Sequence, residues 1–352
     1  MELQAILERT LHLEGSDVYI IPGAPLTAKV GENLQVLNDQ RLSPDHCNML
    51  LTHIYELANH RDISRLKNTG DDDFSFGLTS VGRFRCSAFK QRGSLAAVLR
   101  VVPMNLPDAK ALGVPPAVLG LSALKRGMVL VTGPAGSGKS TTLSCIIHQI
   151  NHTRAGHIIT LEDPIEFIHP HEKCLVTQRE ILNDTRSFAQ ALRSALRQAP
   201  DVILLGEMRD FDTIQTALTA AETGHLLLST LHTIGASKTI DRIIDSFPAQ
   251  QQEQVRMQIS LVLRAVVSQQ LIPSVTGELV PAFEIMMVDN AISNMIREGK
   301  VHQMDNVIYA GAAQGMVTMD SDILRLFREG KITRESALLY AMNPDLLQKR
   351  LG

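Results

Sequence analysis

Nine consecutive residues, Gly133-Pro134-Ala135-Gly136-Ser137-Gly138-Lys139-Ser140-Thr141, constrain this chain more than any other stretch. They satisfy G-x-x-x-x-G-K-[ST] at every fixed position. The flanks agree with the motif. Met128-Val129-Leu130-Val131-Thr132 ahead of it is short, apolar and β-branched, as a buried strand is. Thr142-Leu143-Ser144-Cys145-Ile146-Ile147-His148-Gln149-Ile150 behind it has the apolar spacing of a helix packed on a sheet. Strand, glycine loop and helix N-terminus together form a phosphate cradle, because backbone N–H groups turn inward and the helix end adds partial positive charge. In such a cradle Lys139 reaches the β- and γ-phosphates and the Ser140 hydroxyl ligates Mg²⁺. The motif predicts a nucleotide-binding protein.

Composition sets the surroundings of that loop. A chain of 352 residues accommodates two domains. Its 44% hydrophobic content and net charge of −3 describe an ordinary globular protein, with no overall basic character to advertise nucleic acid. No apolar run approaches the roughly 18 residues of a membrane span. Met1-Glu2-Leu3-Gln4-Ala5 has neither the charged start nor the apolar core of a secretion signal. Cys47, Cys86, Cys145 and Cys174 lie far apart without a C-x-x-C pair, so they read as reduced packing residues. A cytoplasmic protein is expected.

Ahead of the loop, residues 2–13 have the pattern of a short amphipathic helix, followed by strands at 18–21, 26–30 and 34–37 in a meander. Ser43-Pro44-Asp45 places a cap before a proline at the first helical position, opening a helix to about residue 56. A second helix is expected over 61–67. Asp71-Asp72-Asp73 reads as a solvated turn, since no further oxygen ligand has metal-site spacing. Strands over 74–79, 83–90 and 95–102 complete an α+β domain over 1–102. The last two carry Arg83, Arg85 and Arg100, with Arg92 between them. Solvated strand arginines are common, but this density beside a phosphate loop also suits donors to phosphate charge.

Pro103-Met104-Asn105-Leu106-Pro107 restricts the chain and breaks pairing, so 103–113 reads as a linker and 114–352 as the second domain. Its strands are nearly all apolar and alternate with helices, which indicates a parallel α/β sheet. Ligand chemistry then belongs at the carboxyl ends of the strands. His157-Ile158-Ile159-Thr160-Leu161 leads to Glu162, Asp163 and Glu166. Val202-Ile203-Leu204-Leu205-Gly206 leads to Glu207, and Leu226-Leu227-Leu228-Ser229 to Thr230 and His232. A single long helix is expected over 249–270, then a strand at 279–287 and helices at 289–299, 302–310, 318–329 and 333–342.

Nucleoside triphosphate hydrolysis needs Mg²⁺ on the β- and γ-oxygens, a carboxylate to activate water, and cations for developing charge. Glu207 suits Mg²⁺, directly or through water. Residue type alone does not choose the water-activating group among Glu162, Asp163 and Glu166, each of which would also serve as a cap or surface charge. His225 and His232 bracket one strand, as core or surface histidines or as sensors of the γ-phosphate.

Four segments in order extend the argument. Residues 133–141 match a Walker A loop. Ile159-Thr160-Leu161-Glu162-Asp163-Pro164-Ile165-Glu166-Phe167-Ile168-His169 resembles an aspartate box. Asp201-Val202-Ile203-Leu204-Leu205-Gly206-Glu207-Met208-Arg209-Asp210 resembles a Walker B box. Thr223-Gly224-His225 through Ser229-Thr230-Leu231-His232-Thr233 resembles a histidine box. In this order they resemble the PilT-type ATPases, retraction motors of type IV pili and twitching motility, within the secretion ATPases. The resemblance runs from about residue 70 to 340.

The resemblance implies an α/β protein: a PAS-like α+β N-terminal domain joined flexibly to a RecA-like P-loop ATPase domain with a mostly parallel sheet. It implies a homo-hexameric ring using ATP and Mg²⁺, peripheral at the inner face of the cytoplasmic membrane, acting on an inner-membrane pilus platform protein. Whether a paralogous motor ATPase is a second partner stays open. By position, Glu166 becomes the catalytic glutamate, Glu207 the Walker B glutamate, and His225 and His232 the histidine-box residues. Gly82-Arg83-Phe84-Arg85, with Arg100, resembles the arginine elements that complete the family's ATP site, coupling hydrolysis to domain rotation.

Ala291-Ile292-Ser293-Asn294-Met295-Ile296-Arg297-Glu298 resembles the AIRNLIRE helix associated with retraction, with Ser293 for Arg and Met295 for Leu. Gly15-Ser16-Asp17-Val18-Tyr19-Ile20 departs from the family's Ser-Asp-Leu-His segment by Tyr19. Within the family, a pilus-extension or type II secretion ATPase is the alternative. From another class, a RecA-like DNA motor would share the core, but neutral charge and 4% aromatic residues give little support for a base-stacking surface, so no nucleic acid is expected.

Overall fold

The computed structural model describes residues 3–78, 81–103 and 108–351. Glu2, Thr79, Ser80 and linker residues 104–107 therefore lie outside the described residues. The chain divides into two compact units. One contains residues 1–105 with 164–168 and 182–184; the other contains the rest.

The first unit runs α1 (Leu3–His12), β1 (Asp17–Ile20), β2 (Pro25–Val30), β3 (Asn33–Arg41), α2 (Pro44–Leu57), α3 (Ser64–Thr69), β4 (Asp71–Leu78), β5 (Gly82–Gln91) and β6 (Ser94–Val102). Six antiparallel strands lie in the order β3-β2-β1-β6-β5-β4. Side chains alternate across a strand, and the core takes Phe84, Cys86, Ala88, Ala97 and Leu99 together with Leu7, Leu51 and Ile54 of the helices. The opposite parity carries Arg83 and Arg85, with Arg85 paired directly across from Arg100. Ser43 caps α2 as its sequence signals: its hydroxyl accepts from the His46 amide at 3.1 Å, and the Ser43 amide donates in return to His46 Nδ1.

Asp71-Asp72-Asp73 is not a solvated turn. It opens β4, and the alternation of that strand turns Asp72 into the core, where it is 2% exposed. A buried carboxylate requires compensation. Arg61 supplies it with two parallel bonds, Nε to Oδ2 at 2.9 Å and an Nη to Oδ1 at 2.8 Å. Tyr55 donates its phenol at 3.0 Å, and the Arg61 guanidinium lies 4.9 Å from the Phe74 ring centre. Burial, then the Asp72 charge, push the Tyr55 phenol above its ordinary range.

The second unit runs α4 (Pro116–Gly120), β7 (Gly127–Thr132), α5 (Lys139–Thr153), β8 (Gly156–Glu162), β9 (Cys174–Glu180), α6 (Phe188–Ala195), β10 (Val202–Leu205), α7 (Phe211–Glu222) and β11 (Leu226–Leu231). It continues through α8 (Ala236–Asp245), α9 (Ala249–Val262), β12 (Leu263–Pro273), β13 (Leu279–Met287), α10 (Asn290–Arg297), α11 (Met304–Ala310), α12 (Met319–Arg328), α13 (Arg334–Tyr340) and α14 (Pro344–Leu351). Its seven strands lie in the order β13-β12-β7-β11-β10-β8-β9, parallel except for the β12–β13 pair. Every residue of β7, β10 and β11 is buried, because helices cover both sheet faces. Helix α5 packs on one face, while α6, α7 and α8 pack on the other.

The long helix expected over 249–270 is a correction. It ends at Val262, and Leu263–Pro273 is a strand between β7 and β13. Leu263 and Val266 fit helical spacing, but Ala265-Val266-Val267 also suits a strand covered on both faces, and tertiary pairing decides. Strand β9 and helix α14 were likewise not legible as elements. The four cysteines are free and buried.

Candidate phosphate-binding site

The loop after β7 enters α5 at Lys139, with Gly138 as cap in the left-handed region at φ 85°. Lys139 is only 8% exposed, and its ammonium donates to the Gly133 and Pro134 carbonyls at 3.0 and 2.8 Å. The Ser137 hydroxyl is buried inside the loop without a hydrogen-bond partner. An orphaned hydroxyl and a buried ammonium at a helix N-terminus fit a phosphate.

Beside β7 lies β11, and beyond it β10. Both deliver polar residues at their carboxyl ends. Glu207 follows β10 and is gripped on both oxygens. Arg209 Nε reaches Oε1 at 2.6 Å, and His232 Nε2 stands 3.4 Å from Oε2. The Thr230 hydroxyl donates to the Gly206 carbonyl at 2.6 Å, and the Met208 amide to the Thr230 carbonyl at 3.2 Å, fixing the turn that carries Glu207. The Leu231 carbonyl accepts from the Gly133 amide at 3.3 Å, so β11 joins the Walker A and Walker B turns.

Glu162 closes β8. Its Oε1 accepts from Thr160 at 2.6 Å and from Gln178 at 3.4 Å, so it is held by its own strand and by β9. Asp163 and Glu166 follow in the next loop, and both are exposed. Glu166 belongs to the 164–168 segment that groups with the first compact unit.

His225 does not join this constellation within the chain. It precedes β11, and its carbonyl pairs with Gly127 at the start of β7, the end of the sheet remote from the loop. Its ring instead meets the Ala220 carbonyl and the Thr223 hydroxyl, each at 3.1 Å, at the end of α7. Two histidines bracketing a six-residue strand stand about 20 Å apart by strand rise. Sequence spacing brought them together only in name.

In the first unit, Arg100 Nε pairs with Asp17 Oδ1 at 2.8 Å while two-thirds of its side chain stays exposed. Arg85 lies next to it across β5 and β6. Arg92 occupies the β5–β6 turn in the left-handed region at φ 48°, a turn position rather than a strand donor.

His169, which ends the aspartate box, is 8% exposed, and burial together with the nearby His148 holds its imidazole down to about 4. Its ordinary value is near 6.5. The unfolded chain therefore binds the extra proton first, and stability falls as pH drops from about 6.5 towards 4, by of order 3 kcal/mol for this group. Unfolding midpoints measured from pH 7 to 4.5 should show a slope that His169→Gln flattens.

A parallel α/β sheet with this loop defines a P-loop nucleotide-binding protein. Residues 2–337 match the type II/IV secretion system protein family, and the chain belongs to that family. It is 44% identical over 345 residues to the type IV pilus retraction ATPase PilT of Pseudomonas aeruginosa, covering 98% of this chain and 99% of that protein. It is 50% identical over 274 residues to the twitching motility protein of Neisseria gonorrhoeae, covering 78% and 73%. The crystal structure of the pilus retraction motor PilT with bound ADP superposes with a TM-score of 0.91 at 44% identity, covering 99% of each chain. The chain is an ATPase of the PilT and twitching-motility group.

Proposed function

We propose that this protein retracts type IV pili, working in the cytoplasm as an ATP-hydrolysing hexamer at the inner face of the membrane and acting on an inner-membrane platform protein. The observation that carries this reading is similarity to a retraction ATPase along essentially the whole of both chains. Lys139, Ser140, Glu166, Glu207 and His232, which stand at the box positions that the sequence resembles, support it.

The Ser140 hydroxyl and Glu207 carboxylate are hard oxygen donors of the kind Mg²⁺ takes, and they would hold an ion that would supply charge neutralisation for bound phosphate. Lys139 exchanges loop carbonyls for phosphate oxygens. Glu166 orients the attacking water and accepts its proton. Arg209 and His232 hold Glu207 in place, and His232 registers what binds between the Walker A and Walker B turns. Arg85 and Arg100 are assigned as donors to phosphate charge, as in the family's arginine elements.

A strain lacking this protein should carry long pili that do not retract. The wild-type chain should restore retraction and Glu166→Gln should not. A deletion strain without pili would instead favour extension, and one with normal pili but blocked secretion would favour a secretion ATPase.

A further inference from the structure

The phosphate loop rests on one buried side chain that no motif contains. Gln269, in β12, is 4% exposed and points to the α5 face of the sheet, sharing its parity with Ala265 and Val267. Its Oε1 accepts from the Thr142 hydroxyl at 2.7 Å, across 127 positions of sequence. Thr142 lies in the first turn of α5, three residues after Lys139.

Both glycines that frame the loop close on this same residue. A Cβ on Gly133 would stand 2.1 Å from the Gln269 carbonyl oxygen, which no adjustment of a side chain relieves, because the obstacle is backbone. A Cβ on Gly138 would stand 2.9 Å from Gln269 Nε2. The two fixed glycines of the motif thus meet Gln269 within the protein, one at its backbone and one at its side chain.

Its neighbours anchor the strand elsewhere. Ser268 accepts from the Gly235 amide at 2.9 Å, and Gln270 Nε2 donates to the Tyr340 carbonyl at 3.2 Å. All three residues are buried, so β12 is tied at consecutive positions to the loop after β11, to α5 and to the C-terminal helices. Side chains packed this way move together or not at all.

We propose that the Gln269 side chain is a positioning group for the phosphate loop, setting the approach of Gly138 and the direction of the first turn of α5, and so setting nucleotide affinity. The inference rests on the reading of this loop as the nucleotide site. The side chain acts through Thr142 and Gly138, whereas the close approach of Gly133 is to the Gln269 backbone and is shared by any residue at that position.

The test is Mg·ADP affinity of the purified full chain, by fluorescent-ADP displacement, alongside thermal unfolding without nucleotide. Gln269→Leu should weaken binding by about tenfold or more. That variant also leaves the Thr142 hydroxyl buried without its acceptor, so the pair Gln269→Leu with Thr142→Val separates support of the core from positioning. Replacing both partners by apolar groups restores folding. The thermal midpoint should therefore recover towards wild type while affinity stays about tenfold weak. Gln269→Glu keeps an acceptor for Thr142 but puts a carboxylate oxygen under the loop, and it should weaken ADP binding to a salt-dependent extent. Wild-type affinity in Gln269→Leu or Gln269→Glu, or affinity that recovers with stability in the double variant, would overturn the inference. Failure of the unmodified protein to bind Mg·ADP would overturn the site reading and this inference with it.

Discussion

Glu166→Gln is expected to lower steady-state ATP turnover by about a hundredfold or more while leaving ADP binding close to that of the unmodified protein. The substitution keeps size and hydrogen bonding but removes the proton acceptor. Lys139→Ala should abolish both turnover and tight binding. It deletes the cation and also the two bonds that hold the Gly133 and Pro134 carbonyls in the loop. Rapid turnover and equilibrium binding on the two variants give the split directly. Full turnover in Glu166→Gln would move the base to Glu162 or Asp163.

The second large effect concerns stability. Asp72→Ala should cost the N-terminal unit about 3 kcal/mol or more, because it leaves the Arg61 guanidinium and the Tyr55 phenol without their shared acceptor in the core. Arg61 keeps 21% of its side chain exposed, so water softens the penalty from one side while the Asp72 side chain is wholly enclosed. A bidentate pair on an enclosed carboxylate differs from the surface bridges of this chain, such as Lys300 with Glu298, where both partners are more than half exposed and little stability is at stake. Denaturant unfolding should show the midpoint fall at unchanged slope. A loss below about 1 kcal/mol would place the Asp72 pair among those surface bridges.

These two sites differ in how they can be read from sequence. The loop from Gly133 to Thr141 is contiguous, its strand and helix are its immediate neighbours, and its own polar groups are local; nine letters suffice. Glu207 and His232 were also legible, since each follows an apolar run whose parallel pairing puts carboxyl ends together. Asp72 was not, because three adjacent acids look solvated until β4 assigns alternate residues to opposite faces and Arg61 arrives to meet the middle one. His225 lies apart from the Glu207 turn within the chain for the converse reason: a shared box in sequence spans the full length of β11. Gln269 carried no signal. Its strand continues directly from α9 without a turn residue, and its partners Gly133, Gly138 and Thr142 are joined to it only by the β12–β7 pairing. Local chemistry is written in local sequence, whereas support from a neighbouring strand is written in topology.

The same distinction bears on the helix that resembles the retraction-associated AIRNLIRE segment. Ser293 replaces an arginine there, and its hydroxyl donates to the Ser260 carbonyl at 2.7 Å, so this position ties α10 to α9 instead of presenting charge. Ile292 and Ile296 remain fully buried, which keeps the apolar face of α10 in the core.

We propose that ATP is hydrolysed by a ring of cooperating copies. It is tested most directly by measuring Mg²⁺-dependent ATP turnover over a protein concentration series with mass determined in parallel, then mixing in Glu166→Gln subunits at fixed total protein. Turnover that rises with hexamer formation, and that falls more steeply than the fraction of unmodified subunits, is the predicted result. Full turnover by a monomer, falling only in proportion to dilution by the inactive variant, would contradict it.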